Sequence, residues 1–280
     1  MANKDALLSL HAGADGVLFE LHGPADPNVL LKKIEMPYCS TVFLASSGQE
    51  DFFRKLVSLA SAKNSNYSGL AGAIFWKGVP VNLLVLNEQF KGWSQFHYFG
   101  IIAEDSTSPT DEIAMLLAKV VTQLADFPEG TEKINQVLDS VAFSVSVGTD
   151  FFLEIAKLKA LRLVWFQVAK AYDPQCSAAV YIHVTVKAGE NQAYSPHKNM
   201  IRGTTAAMSA ILGGCDALTV PPADHQSEMM TRIARNVSSI LREESHLGKV
   251  SDPTAGSYYV EKLTDQLAAK AWEKFQQLMQ

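Results

Sequence analysis

Residues 198–261 read KNMIRGTTAAMSAILGG, CDALTV, PPADHQSEMMT and RIARNVSSILREESHLGKVSDPTAGSYYVE. The first piece predicts a helix. Ser195-Pro196 can open it, with serine as N-cap and proline at the first helical position. Ile201, Thr204, Met208 and Ile211 recur at helical spacing, and Gly213-Gly214 end the run. Asp216 to Val220 is a short apolar strand. The last piece predicts another helix, with Met230, Ile233, Val237, Ile240 and Leu241 on one stripe. Helix, strand and helix of these lengths make one turn of an α/β wheel.

Composition allows that architecture. The 280 residues are 48% hydrophobic and 19% charged, an ordinary globular balance whose length suits one α/β barrel or two smaller domains. The net charge is -5, and no basic cluster stands out, which argues against a nucleic-acid partner. No apolar run reaches the length of a membrane span. The opening MANKDALLSL lacks the basic and apolar regions of a signal peptide, so a cytoplasmic location is expected. Cys39, Cys176 and Cys215 lie far apart beside apolar runs and read as buried free thiols. No Cys-x-x-Cys or His-x-x-x-His spacing suggests a metal.

Further elements follow along the chain. Leu7, Leu8 and Leu10 predict a helix that Gly13 stops. Strands are expected over 16–21, 41–45, 71–76, 96–103, 140–147 and 179–186. Helices are expected over 28–34, 50–62, 111–127 and 150–172, the last with Leu158, Leu161, Trp165, Val168 and Tyr172 on one stripe. Residues 256–280 predict a turn holding two packed tyrosines, then a helix with Leu263, Leu267, Ala271 and Phe275 inward. The run 81–87 is ambiguous in period and is taken as helix. Strand and helix in alternation predict parallel strands with right-handed crossovers. No Gly-x-Gly-x-x-Gly follows the first strand, so nothing favours a dinucleotide-binding sheet.

The same C-terminal residues carry a family resemblance. Arg232-Ile233-Ala234-Arg235-Asn236, Glu243-Glu244-Ser245, Asp252-Pro253 and Gly256-Ser257-Tyr258-Tyr259-Val260-Glu261 resemble the end of the barrel in adenosylcobalamin-dependent acyl-CoA mutases, the methylmalonyl-CoA mutase family. Glu154-Ile155-Ala156-Lys157-Leu158, with Arg162 and Trp165, matches the same family earlier in the barrel. The match is strong over about 150–270 and weak before it. It implies an α/β, TIM-type (β/α)8 barrel spanning 1–280 as a single domain, with no cobalamin-binding domain. Seven strands are counted where a closed barrel needs eight. Aligned from the C-terminal end, the missing strand is the first. The expectation is a barrel truncated at its start, unless 81–87 takes the empty place.

Candidate chemistry centres on Tyr181-Ile182-His183-Val184-Thr185-Val186. Alternation would turn Ile182, Val184 and Val186 to the helices and Tyr181, His183 and Thr185 to the barrel axis, where barrel enzymes work. The plain alternative is an interior histidine satisfied by a neighbour. In the catalytic mutases that the chain resembles, this strand and loop read His-x-Gln-Thr-Ser-Gly, and the His and Gln contact acyl-CoA. Here Thr185 stands at the Gln position, and the loop Lys187 to Tyr194 does not keep Thr-Ser-Gly. A threonine cannot reach where a glutamine amide does. The family's Asp-x-His-x-x-Gly cobalt loop is also missing; Asp224-His225 has the wrong spacing. The resemblance therefore implies no catalytic residue in this chain and no cofactor bound by it. Adenosylcobalamin would sit in a catalytic mutase subunit that partners this small, silent one in a heterodimer, with acyl-CoA as a further candidate ligand. An alternative is the substrate-binding barrel of a split mutase, with His183 at work; another is an unrelated barrel lyase or aldolase. Arg202, Arg232 and Arg235 could bind phosphate, but pairing with Glu243, Glu244 and Asp252 is the simpler expectation. Glu104-Asp105 and Asp111-Glu112 read as solvated acids.

Overall fold

A computed structural model describes residues 2–63, 69–78, 82–104, 106, 108–125, 127, 133–187, 195–224 and 226–280. Its elements are Ala2–His11 (α1), Gly16–Glu20 (β1), Pro27–Leu30 (α2), Ser40–Ser46 (β2), Glu50–Lys63 (α3), Gly72–Lys77 (β3), Leu83–Gln89 (α4), Phe96–Ile102 (β4), Pro109–Leu124 (α5), Lys133–Asp139 (α6), Val141–Val147 (β5), Phe151–Tyr172 (α7), Tyr181–Val186 (β6), Pro196–Leu212 (α8), Ala217–Thr219 (β7), Glu228–Glu243 (α9) and Tyr258–Leu278 (α10). The strands form one sheet in the order β1-β2-β3-β4-β5-β6-β7. The β1–β2, β2–β3, β3–β4 and β6–β7 pairings are parallel. Each strand lies beside its predecessor, which is the order of a TIM-type barrel and not of a doubly wound sheet. Among the described residues the sheet has seven strands, one short of a full barrel. The ambiguous run is helical, as α4, and its first residue, 81, lies outside the described residues.

The chain divides into two compact units. One comprises residues 1–102, 122–142 and 175–177; the other comprises 103–121, 143–174 and 178–280. The first is built on aromatic rings. Phe43 of β2 meets Phe52 and Phe53 of α3, and Phe53 meets Trp76 of β3. Phe90, just past α4, stacks on Phe96 and Tyr98 of β4. The Tyr98 hydroxyl donates to Asn87 Oδ1 at 2.6 Å, which satisfies both buried polar groups. The second unit packs around α7. Leu158, Leu161 and Trp165 are fully buried, and the Trp165 ring meets Phe143 of β5 edge-on at 5.8 Å. Side chains of this size stabilise by about 1.5–3 kcal/mol each when removed from water.

Several expectations are corrected. α2 ends at Leu30, not 34. Asp26 caps it and Pro27 opens it, but Lys33 takes a φ of 64, outside helical backbone. The short helix α6 was not anticipated. On α8 the buried face is Gly203, Ala206, Ala207 and Ala210, while Ile201 is 63% exposed. The tightest approach to α7 is at Gly213, just past α8, where a Cβ would come within 2.8 Å of Leu158 Cδ1. On α9, Ala234 is inside and Ile240 is outside. On α10, Val260 and Thr264 join Leu267, Ala271 and Phe275 in the buried stripe, and Leu263 is only half-buried. Tyr258 and Tyr259 lie in the first turn of α10 and are exposed, although the Tyr259 ring meets Phe152 edge-on. The turn before them is fixed as expected: Asp252 Oδ1 accepts from Thr254 N, and Glu261 accepts from Gly256 N.

β3 and β4 slip register between Ala73 and Phe75, and Gly100 sits at that irregularity. A Cβ on Gly100 would overlap the Ile74 carbonyl oxygen, which belongs to the backbone and cannot rotate away. Gly100→Ala is expected to lower stability by about 1–3 kcal/mol, read as a fall in the urea midpoint. Gly23→Ala, where nothing lies within 4 Å, should change it little.

Candidate functional site

β6 carries the candidate residues. Ile182, Val184 and Val186 are fully buried, Tyr181 and Thr185 are half-buried, and His183 is 2% exposed. His183 lies in register with Ala217 of β7, and Thr185 with Thr219. The imidazole spans its two neighbours. Its Nδ1 lies 2.9 Å from Ser144 Oγ on β5, and its Nε2 lies 2.9 Å from Thr219 Oγ1 on β7. Each hydroxyl can donate or accept, so the pair accommodates either neutral tautomer. Burial pushes the His183 pKa down to about 4. The ring is therefore a neutral strut at pH 7, because burial disfavours its charged form.

The sequence pointed to His183 and Thr185 but not to Ser144 and Thr219. Ser144 and Ser146 alternate with buried apolar residues in VAFSVSV, which is a visible signal of one polar face. Thr219 sits in a three-residue strand too short to show any period. The loop residues 188–194 lie outside the described residues, as do Asp105 and His225.

A second polar cluster stands at the end of β5. Lys157 of α7 is nearly buried and its Nζ donates to the Ser146 carbonyl at 2.6 Å. It also meets Glu154 Oε2 at 2.7 Å and Glu112 Oε2 of α5 at 3.2 Å. Glu154 uses its other oxygen to accept from Gly148 N at 2.7 Å. Glu112 was expected to be solvated, but it lies on the turn of α5 that reaches Lys157. Burial raises its carboxyl pKa against the opposing pull of Lys157. Asp111 instead pairs with Lys274 of α10, and Glu104 pairs with Lys119 at an exposed position. Two carboxylates share the one ammonium of Lys157, and the further hydrogen bonds run to backbone groups of β5 and the residue after it, which is the pattern of a structural cluster.

The expected arginine pairs are different ones. Asp252 meets Lys159 Nζ at 2.8 Å, Glu243 meets Arg242 at 2.7 Å, and Arg202 reaches Thr149 Oγ1 at 3.4 Å. Among the described residues no group of three or more His, Cys, Asp and Glu could hold a metal ion. No described helix is long and apolar enough to cross a membrane. Cys39, Cys176 and Cys215 form no disulfide; the first two are buried as expected, Cys215 is half-buried, and desolvation pushes its thiol up to about 12.

Two outcomes are expected. The unfolded chain takes a proton near pH 6.5 and the folded His183 only near 4, so its contribution is complete above 6.5 and is lost as pH falls toward 4. The urea midpoint of the wild type should fall between pH 7 and 4.5 more steeply than that of His183→Gln, by at most about 1.4 kcal/mol per pH unit. Equal slopes would contradict the buried neutral ring. Lys157→Met strands two carboxylates and should cost about 3–5 kcal/mol at pH 7, measured as the same midpoint.

The profile of the methylmalonyl-CoA mutase family matches residues 92–280. A methylmalonyl-CoA mutase small subunit of Porphyromonas gingivalis is 34% identical over 173 residues, covering 59% of this chain and 28% of that protein. A methylmalonyl-CoA mutase small subunit of Streptomyces virginiae is 37% identical over 179 residues, 62% of this chain and 29% of that one. A methylmalonyl-CoA mutase of Rhizobium meliloti is 39% identical over 138 residues, 47% and 19% of the two chains. The matches thus span less than a third of the length of these curated relatives. With the strand order of a TIM-type barrel and a profile match over most of its length, the chain belongs to the methylmalonyl-CoA mutase family.

Proposed function

We propose that this chain is a barrel domain of a small, non-catalytic subunit of a heterodimeric methylmalonyl-CoA mutase. In this reading it supports a catalytic subunit that interconverts methylmalonyl-CoA and succinyl-CoA, and the pair works in the cytoplasm. The observation that carries it is the bracing of His183. Both ring nitrogens are engaged by Ser144 and Thr219, so the ring has no unoccupied edge to turn to a thioester. Thr185 beside it has a short hydroxyl where the catalytic family pattern has a glutamine amide. The names of the Porphyromonas and Streptomyces relatives support the subunit assignment.

The candidate site around His183 does not fit cobalamin. Cobalt would need an imidazole nitrogen with its lone pair available, and His183 has both nitrogens bonded inside the sheet. Adenosylcobalamin is accordingly assigned to the partner, where it would supply the radical. This chain's own residues then do structural work: His183 ties β5 to β7 through β6, and Lys157 ties α5 and α7 to the end of β5. The split-mutase alternative needs His183 free to bind substrate, which the same two hydrogen bonds oppose.

In the reconstituted heterodimer, His183→Ala should leave kcat within a few-fold of wild type. A loss of ~100-fold at unchanged stability, the size of an acid–base contribution, would overturn the reading in favour of a working site. Titrating this chain alone with adenosylcobalamin should give no saturable change in the visible spectrum; micromolar binding would reject the cofactor assignment.

A further inference from the structure

The Glu112–Glu154–Lys157 cluster is nearly buried, and its charge is not balanced. The three side chains are 12%, 13% and 5% exposed, so water and salt screen them little. One ammonium faces two carboxylates, which leaves one negative charge over when all three are ionised. The two acids are served unequally. Glu154 Oε2 lies 2.7 Å from Lys157 Nζ, and Glu154 Oε1 accepts from Gly148 N at 2.7 Å. Among the described residues the one hydrogen bond of the Glu112 carboxylate is the 3.2 Å contact to Lys157. The same ammonium also donates to the Ser146 carbonyl at 2.6 Å. Glu154 Oε2 is buried beside the ammonium without a directed hydrogen bond. The site thus lacks one positive charge and one donor, and a single proton supplies both.

We propose that this cluster is a proton-binding clasp: one proton taken up by the Glu112–Glu154 pair tightens the first turn of α5 onto α7 and the end of β5, and its loss at higher pH loosens that turn. The clasp stands apart from the subunit reading above and holds whether or not that reading does. Glu112 is the member that can leave. Lys157 and Glu154 belong to a 22-residue helix with ten buried residues and are bonded to the backbone after and within β5. Glu112 sits in the opening turn of α5, and helix ends open at lower cost than helix middles.

The surrounding charges agree with this. Burial raises the Glu112 carboxyl above its ordinary 4.5, Lys157 pulls it down, the charge of Glu154 pushes it up, and Lys187, just past β6, pulls it down. The neighbouring Asp111 is turned to Lys274 of α10. An acid raised on folding stabilises fully below its unfolded value and loses that contribution as pH rises through its folded value. The clasp therefore closes on acidification. His183 has the opposite sign, since its contribution is lost as pH falls, so the two are separable.

The test is a carbon-13 NMR titration of the Glu112 side-chain carboxyl in the wild-type chain, assigned through its backbone so that no variant is needed. A midpoint above 4.5 is expected, and one at or below 4.5 overturns the proposal. Glu154→Gln keeps an oxygen for Gly148 N but removes the like charge and leaves Lys157 to Glu112, so the Glu112 midpoint should move down; an unmoved midpoint rules out a proton shared by the pair. Glu112→Gln stands in for the protonated acid. Its urea midpoint should exceed that of the wild type at pH 7, with the difference closing as pH falls toward 4.5. A lower midpoint at pH 7 would mean that the ion pair with Lys157 outweighs burial, and the clasp would be wrong. The Asp111 and Glu112 amides donate to the Ser108 carbonyl in this turn. Their hydrogen exchange, corrected for the intrinsic effect of pH, should slow on acidification in the wild type and stay level in Glu112→Gln. The same profile in both proteins would show that the proton does not act on the turn.

Discussion

Arg162 holds the second compact unit in register. From α7 it donates to the Val180 carbonyl at 2.8 Å and to the Gly214 carbonyl, just ahead of β6 and β7, and it pairs with Asp216 Oδ2 at 2.7 Å. Asp216 Oδ2 in turn accepts from Ile182 N at 2.8 Å. One guanidinium fork and one carboxylate thereby tie the helix to the beginnings of two adjacent strands. Trp165, one turn further along, donates to the Ala179 carbonyl at 3.3 Å. The short β7 has little ladder of its own, so this junction sets where it starts. His183 can meet Thr219 only because that start is set.

The motif residues that carry the family resemblance work in the same way. Glu154 and Lys157 close the end of β5, Arg162 and Trp165 fix the entries to β6 and β7, and Asp252 and Glu261 hold the turn before α10. These are ion pairs and hydrogen bonds to backbone groups at strand ends and turns. A chain can keep this set and still change its axis chemistry, because the set faces the helices and the strand ends. Across β5, β6 and β7, Ser144, His183 and Thr219 are paired with one another. The Ser144–His183–Thr219 row needs no counter-ion, which makes it stable in burial and a poor proton carrier at neutral pH.

Much of this was legible in the sequence. All seven strands were readable from short apolar runs between turn residues, because a strand buried on both faces has few polar interruptions. His183 and Thr185 were legible as residues of one strand face from alternation alone. Side-chain facing on the outer helices was less so. Ile201 and Ile240 read as core, yet the core takes Ala206, Ala210 and Ala234, since close helix approach selects small side chains over large ones. Glu112 read as a solvated acid because its partner, Lys157, is 45 residues away in sequence.

The sequence by itself determined the α/β class, the parallel order, the family and the departure at Thr185, because period, turn chemistry and spaced identities are local. The tertiary structure alone decided that His183 is spent between two hydroxyls from neighbouring strands and that Glu112 and Glu154 share one ammonium. Both depend on which residues from distant parts of the chain arrive at the same few ångströms, and only packing settles that.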